Sequence, residues 1–365
     1  MNQSKTAMNR LFTKRLGAMV CALLFISSLS FSQFDNVDFL RSGATDGLKI
    51  VEAYIGPWAN AFGAGLNGGW YNTAKPHKLG GFDITAGINL GFVPSSATTF
   101  DVSQIGLTTL TGQGMAPTVA GPDTDGPTMT ATVGGIDLAS FQTPPGTKWK
   151  IMPVPTVQVG IGLPLGSELK VRFIPKLSPG DGGGDISLFG VGLVHSVMQY
   201  FPGNKLLPFD VSLFGGYTKL QGNVPLDLEP NEGSPTSYST YNAATSFQDQ
   251  NMNASVSALN VGVIASLNLP VITFYGGLGY SKTSTVIKLE GNYPLPTINT
   301  DISLTEAVYE DAGVIKDFPQ LDINNLSGVR ANIGFRLKFA VVTFHADYTK
   351  ANYNVISTGL GISFR

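Results

Sequence analysis

Residues 329–339 read VRANIGFRLKF, and this stretch decides the class of fold. Its odd-numbered positions, from Val329 to Phe339, are all apolar, whereas its even-numbered positions include Arg330, Arg336 and Lys338. Side chains alternate between the two faces of a strand, while an apolar helical face needs apolar residues three or four positions apart. The stretch therefore predicts a β-strand with one apolar face and one charged face.

Two further strands follow with almost no residues between them. Residues 340–350 and 353–364 repeat the same alternation. An apolar edge strand that is left bare invites aggregation. We therefore expect the last strand to pair with the first strand of a closed barrel.

The composition is poor in charge and rich in glycine. Charged residues make up 13% of the 365 residues, against about 25% in an ordinary soluble domain. The chain contains 44 glycines and 22 prolines, and aromatic residues make up 10%. This composition fits a protein whose outer belt faces lipid, and it also fits a glycine-rich soluble β-protein.

Residues 1–32 have the three regions of a secretory signal peptide. A basic stretch precedes the apolar residues 16–29, and residues 30–32 read SFS, a small-x-small cleavage site. The basic residues are Lys5, Arg10, Lys14 and Arg15. Without residues 1–32 the chain has 19 basic and 25 acidic residues, a net charge of −6, which argues against a nucleic-acid partner.

The mature chain is expected to have no thiol chemistry and no spanning helix. Its single cysteine, Cys21, lies inside the signal region, so no disulfide or thiolate metal site is expected. No second run of 18 apolar residues follows. An exported chain of this kind can cross a membrane only as a closed barrel, because lipid leaves every backbone N–H and C=O to be paired internally.

The region 34–63 is the only one with helical spacing. Apolar residues recur at helical intervals after Asp46, which we expect to cap a helix, and Pro57 is expected to end or kink it. The helix could lie at the periplasmic end of a barrel or plug its lumen. The expected organisation is a signal peptide at 1–32, a helical plug or hatch candidate at 33–60, and an outer-membrane β-barrel at 61–365.

Strands are predicted from residue 61 onward, including 61–71 and 99–105, with a long loop at 106–146 that could contain a small hairpin of its own. Short turns alternate with long polar connections, as in bacterial barrels, which have even strand numbers. The count gives about 12 antiparallel transmembrane strands, or 14 if residues 291–325 supply a further pair. The fold class expected is thus an all-β transmembrane barrel.

The charged phase of each strand is expected to line the lumen. An Arg or Lys on the lipid face near the midplane costs roughly 2–4 kcal/mol, so several basic residues on one phase must point inward. A basic lining could bind a carboxylate or phosphate group, or an internal ion-pair network could fill the barrel. The lumen candidates are Glu168, Lys170, Arg172, Lys176, Arg330, Arg336, Lys338, His345 and Asp347, with Asp210 as a further candidate.

No catalytic or metal site is predicted. His345 and Asp347 share a strand phase, which could orient an imidazole, but a hydrogen bond inside the lumen is the simpler interpretation. None of the three histidines has zinc spacing, and no serine lies in a nucleophile turn. Aromatic residues near inferred strand ends are expected to form an interfacial girdle. They are Trp58, Trp70, Trp149, Tyr200 and Phe201.

Several stretches resemble a family of uncharacterised outer-membrane barrels. They are AYIGP at 53–57, GLNGGWYNTAKPHK at 65–78, PVPTVQVG at 153–160, KVRFIP at 170–175, and residues 190–202. This family is similar, more distantly, to the outer-membrane long-chain fatty-acid transporters, which are 14-stranded barrels with an amino-terminal hatch. The resemblance implies transport of a hydrophobic ligand.

Three functions are open at this point. The first is passive transport or binding of a small hydrophobic or amphipathic molecule, and the second is a non-transporting structural or accessory barrel of a surface complex. The third, a membrane enzyme using His345, is not expected. The expected partners are outer-membrane lipid and a small hydrophobic ligand, with a monomeric protein and no cofactor.

Overall fold

The computed structural model describes residues 44–133, 136–178, 184–201, 208–226, 249–291 and 320–364. The expected signal peptide and most of the polar stretch 291–325 lie outside these residues. One helix, α1 (Ala44–Leu66), is followed by fifteen described strands. The strands are β1 (Phe82–Phe92), β2 (Thr99–Asp101), β3 (Leu110–Thr111), β4 (Met115–Pro117), β5 (Thr128–Val133), β6 (Ile136–Gln142), β7 (Ile151–Leu163), β8 (Ser167–Leu177), β9 (Asp185–Ser196), β10 (Phe209–Pro225), β11 (Asn251–Asn268), β12 (Ile272–Glu290), β13 (Leu321–Phe339), β14 (Val342–Lys350) and β15 (Val355–Phe364).

Ten of these strands form a closed antiparallel barrel, which confirms the predicted fold class. The ring runs β1, β15, β14, β13, β12, β11, β10, β9, β8 and β7, and β7 pairs again with β1. The last strand pairs with the first over ten residue pairs, from Phe82 with Phe364 to Gly91 with Val355. Closure leaves no bare strand edge, as the apolar alternation requires.

The expected number of 12 to 14 strands is wrong for the described residues, in which ten strands close the ring. Two segments predicted as wall strands lie elsewhere. Residues 61–66 are the last turns of α1, and β2 pairs with β4 in a small separate sheet. Pro57 lies inside α1 rather than at its end. The predicted loop at 106–146 contains β3, β5 and β6, which form a second small sheet.

The outer face of the barrel is apolar. Outward positions such as Leu278, Val329, Ile333 and Leu360 are 68%, 74%, 72% and 62% exposed, while the neighbouring Arg330 is 6% exposed. Among the described helices, none is long and apolar enough to cross a bilayer. An exterior of this kind has to be covered by lipid.

The two ends of the barrel differ. The turns 163–167, 268–272 and 339–342 lie at one end, which we call the short-turn mouth. The connections 92–151, 225–251 and 290–321 lie at the other end, the long-loop mouth. Strands β10 to β13 contain 17, 18, 19 and 19 residues, whereas roughly 9–11 tilted residues cross a bilayer. These strands therefore extend well beyond the membrane.

Candidate functional site: a lumen closed by the amino-terminal segment

Residues 44–77, here called the lumen segment, run through the barrel from one mouth to the other. At the long-loop mouth, Ile50 packs with the small sheets in a buried cluster. Half-way down, Trp70 lies against the wall of β9 and β10. At the short-turn mouth, His77 contacts the wall residue Glu168. Of the two positions that the sequence left open, the structure shows the helix inside the lumen.

Asp46 fastens the segment at the long-loop mouth. Its carboxylate accepts backbone N–H groups from Thr108 at 2.8 Å, Thr109 at 2.7 Å and Leu110 at 3.0 Å. Burial would raise the pKa of Asp46, but these N–H donors outweigh it and lower the pKa to about 2. Asp46 was expected to cap the helix; it lies instead in the first turn and holds a loop.

We expect Asp46→Asn to loosen this loop, because an amide can accept fewer of the converging N–H groups. Hydrogen bonds to a charged group contribute about 1.5–3 kcal/mol, which corresponds to roughly ten- to hundredfold faster exchange of the amides at 108–110. Hydrogen exchange measures this directly. Because the folded-state pKa is lowered, the stabilisation is complete above the ordinary pKa of 3.8 and is lost as the pH falls through about 2.

Asp101→Asn is the matched control, since Asp101 is also a loop carboxylate that accepts a backbone N–H, from Ser103 at 2.9 Å. It should leave exchange at 108–110 unchanged. Unaltered protection in Asp46→Asn would show that the carboxylate does not hold the loop.

The carboxyl end of α1 is held by two arginines of the wall. Arg172 donates to the carbonyl of Leu66 at 2.8 Å and to that of Gly68 at 2.7 Å. Arg330 donates to the carbonyl of Asn67 at 2.6 Å. The last carbonyls of a helix have no partner within it, and its carboxyl end carries partial negative charge. The two guanidinium groups satisfy both demands.

Trp70 fills the middle of the lumen. Its ring lies on Gly192 and Gly216, which are directly paired across β9 and β10, and any Cβ at these glycines would meet the ring at 2.9–3.0 Å. The Arg172 guanidinium stacks 3.8 Å from the ring centroid on another side. Trp70 is 1% exposed, so its predicted place in an interfacial girdle is wrong.

At the short-turn mouth His77 joins an ion-pair cluster of the wall. Its Nδ1 lies 2.8 Å from Glu168 Oε2, and its Nε2 lies 2.9 Å from Ser363 Oγ. The Lys170 ammonium pairs with Glu168 and lies 3.6 Å from an oxygen of Asp83. All five side chains are at least nine-tenths buried.

This cluster invites two chemical interpretations. His77, Asp83 and Glu168 offer ligand atoms within 4.8 Å of one another, but the Lys170 ammonium already pairs with Glu168 and lies 3.6 Å from an oxygen of Asp83, where it would repel a metal cation. Ser363, His77 and Glu168 follow the order of a serine hydrolase triad. However, Ser363 is only 2% exposed, and its backbone N–H donates to the Val341 carbonyl rather than facing a substrate. The geometry favours a structural contact between segment and wall.

The structure places most of the predicted lumen residues in the interior. Glu168, Lys170, Arg172, Arg330, Arg336, His345 and Asp347 are all buried there. Lys338 approaches the Ser363 hydroxyl at 3.4 Å near the short-turn mouth, and Asp210 accepts from Asn268 at 2.7 Å. His345 and Asp347 have separate surroundings: Asp347 accepts the Tyr275 hydroxyl at 3.0 Å.

Lys176 is the exception, because it lies on the exterior. The pairing of β8 with β9 shifts between Ile174 and Leu177, and this irregularity reverses the alternation. Leu177 packs against the interior cluster instead, and the Lys176 side chain is 68% exposed and pairs with Asp185 at 2.9 Å.

Sequence reasoning missed the residues of the lumen segment that contact the wall. It singled out His345, although His77 is the histidine that joins segment and wall. The polar string 65–78 was noted only for its resemblance. Its concentration of glycine, asparagine and aromatic residues directly after a helical stretch was the signal that could have identified it.

A closed antiparallel ring, an apolar exterior and a polar, charged interior define an outer-membrane β-barrel fold. The chain matches a family of unknown function, DUF6588, over residues 8–364, and it belongs to that family. No curated protein matches the sequence.

Solved outer-membrane proteins are similar to the chain only at very low identity and low TM-score. The chain is 8% identical to Ail, the attachment invasion locus protein of Yersinia pestis, covering 78% of this chain and 98% of Ail with a TM-score of 0.26. The chain is 10% identical to the outer membrane protease OmpT from Escherichia coli, covering 77% of this chain and 97% of OmpT with a TM-score of 0.30. It is 14% identical to a Pseudomonas aeruginosa FadL homologue, covering 74% of this chain and 59% of the homologue with a TM-score of 0.24. Likenesses this slight carry no information on function.

Proposed function

We propose that this barrel passes small hydrophobic or amphipathic molecules across the outer membrane, with the lumen segment as its gate. The observation that supports this is that the ring of ten strands closes without the segment. The segment contributes no strand to the ladder, so it can move without opening the wall. The proposal includes export through the signal peptide, a monomeric barrel, and long loops on the outer side.

The contacts of the segment suit a gate. They include hydrogen bonds from wall side chains to its carbonyls, one aromatic ring on two glycines, one histidine in a polar cluster, and apolar packing of Leu66, Tyr71 and Ala74 against the wall. Hydrogen bonds of this type exchange with water at a modest net cost of about 0.5–1.5 kcal/mol each, or about 1.5–3 with a charged partner. A charged lumen with an apolar membrane outside favours solutes that combine a polar head with an apolar body.

A disulfide between the segment and the wall tests whether the segment must move. A Cβ built at Gly65 of α1 lies 3.2 Å from Val154 Cβ of β7, close to the roughly 3.5–4.5 Å typical of disulfides. In the Gly65→Cys/Val154→Cys variant we expect oxidation to abolish both conductance in a planar bilayer and octanoate entry into liposomes. Reductant should restore both to the wild-type level.

The two single cysteine variants are the controls, because the mature chain is expected to have no thiol of its own. They should respond to neither oxidant nor reductant. Equal flux through the oxidised and reduced double variant would contradict a moving gate.

A non-transporting, accessory barrel is the second candidate, and one observation favours it. Arg172 and Arg330 are 0% and 6% exposed, and both bind carbonyls of the segment. If the segment withdrew, these guanidinium groups would lose their carbonyl partners and water would have to replace them. If neither the wild type nor the reduced double variant shows conductance or octanoate entry, this second candidate is supported. We propose no enzymatic activity for either, since the amide beside the Ser363 hydroxyl is used in strand pairing.

A further inference from the structure

The exterior of β10, β11 and β12 changes from apolar to polar at one level. Tyr217 and Leu259 are paired neighbours, both about two-fifths exposed, and Leu259 pairs in turn with Lys282. Two residues further toward the long-loop mouth, Lys219 pairs with Ser257. With about 3.4 Å per residue, Lys219 lies roughly 7 Å beyond Tyr217 along the strand. The upper edge of the apolar belt therefore runs just below Lys219.

A groove of about 640 Å³ opens on this outer wall, directly above the belt. Its lining combines apolar surface with charged and amide side chains, which include Lys176, Lys219, Lys288 and Asp185, together with Gln221 and Asn253. Lys176 pairs with Asp185 at 2.9 Å. Within the part of the chain that the structure describes, neither Lys219 nor Lys288 has a carboxylate within 4 Å. Among the described residues, the groove thus has two lysines without an ion-pair partner.

We propose that this groove binds the phosphate group of an anionic lipid in the leaflet next to the long-loop mouth. Lys219 and Lys288 would contact the phosphate, and the neighbouring amide and hydroxyl side chains would contact the rest of the headgroup. Lysine ammonium groups on flexible stems bind phosphate as point charges, without a fixed fork geometry.

The position of the groove favours a lipid as its ligand over a solute that passes through the lumen. It lies on the outer wall, formed by outward-facing positions of the strands, so a molecule inside the lumen does not meet it. Lipid headgroups, in contrast, lie against the wall just above the apolar belt, at the level of Lys219, and Lys288 lies four residues farther from the belt in the strand register. A basic residue near an anionic membrane surface contributes about fivefold in affinity, so two give roughly 25-fold.

Native mass spectrometry of the full-length barrel in non-ionic detergent tests the proposal by titration with phosphatidic acid. We expect phosphatidic acid to bind more tightly than phosphatidylcholine. The triple variant Lys176→Gln/Lys219→Gln/Lys288→Gln should bind phosphatidic acid at least about tenfold more weakly than the wild type. The control variant Lys75→Gln/Lys78→Gln/Lys148→Gln makes the same change in charge elsewhere, and its affinity for phosphatidic acid should differ from that of the wild type by less than about twofold. Heat-modifiable gel mobility reports whether each variant is folded.

If the triple variant fails to fold, the single variants Lys219→Gln and Lys288→Gln replace it, each with an expected loss of about fivefold. Equal affinity of wild type and lysine variants for phosphatidic acid overturns the proposal. Inorganic phosphate that binds as tightly as phosphatidic acid also overturns it, because the groove would then be a site for free anions.

Discussion

Replacing Glu168 with alanine is expected to lower the free energy of unfolding by about 3–5 kcal/mol. The carboxylate accepts from the backbone and ring of His77 and pairs with Lys170, and all three residues are buried. Without it, the Lys170 ammonium keeps only Asp83, at 3.6 Å, and His77 loses its anchor to β8. An unpaired buried charge costs more than the pair contributes when intact. Denaturant unfolding in detergent, followed by tryptophan fluorescence, measures the loss.

A double-mutant cycle of Glu168→Leu, Lys170→Met and the double variant shows whether the charges or the side-chain volumes determine the loss of stability. Glu168→Leu/Lys170→Met removes both charges at similar volume, and we expect it to be less destabilised than Glu168→Ala. Lys176→Ala is the exterior control on the same strand and should change stability by less than about 0.5 kcal/mol. A double variant as unstable as the sum of its single variants would contradict coupling between Glu168 and Lys170.

Arg172→Ala is expected to release the middle of the lumen segment from the wall. It removes the donors to two carbonyls of the segment and the cation above Trp70. Two hydrogen bonds to a charged donor, at about 1.5–3 kcal/mol each, suggest a loss of about 3–6 kcal/mol in docking of the segment. In a Trp58→Phe/Trp149→Phe background, the emission of Trp70 should shift to longer wavelength as water reaches the ring.

Arg172→Lys separates charge from geometry. Lysine keeps the positive charge but cannot reach two carbonyls with a planar fork, so an intermediate shift is expected. Conductance should rise in the same order, from wild type through lysine to alanine, if the segment is the gate. Unchanged Trp70 emission in Arg172→Ala would show that the glycine pair and Phe214, whose ring centroid lies 5.9 Å from that of Trp70, suffice to hold the ring.

The closed barrel was predictable because its wall strands alternate strictly, and the phase of their charges settles which face is interior. The strand number was overestimated because residues 61–66 are rich in glycine and look unlike a helix. The glycines are needed because the lumen is narrow: a Cβ at Gly63 would lie 2.9 Å from Thr283, and Gly65 is similarly close to Val154. Tertiary packing outweighs local propensity there.

The charged lining was predicted from alternation alone, and Lys176 shows the limit of that argument. One irregular pairing reverses the phase of everything after it. Pro175, just before the change, was a usable signal, since proline within a strand is confined to edges and bulges. The carbonyls of the lumen segment that Arg172 and Arg330 bind could not have been found from the sequence, because every residue has a backbone carbonyl.

The passage of the lumen segment from one mouth to the other also constrains the order of assembly. Asp46 is held at the long-loop mouth and His77 at the short-turn mouth, with the ring of strands complete around the chain between them. A finished ring could take up such a chain only end-first. A segment that does not enter end-first has to lie along the axis before β15 meets β1, and on that route the pairing of the first and last strands is the step that encloses it.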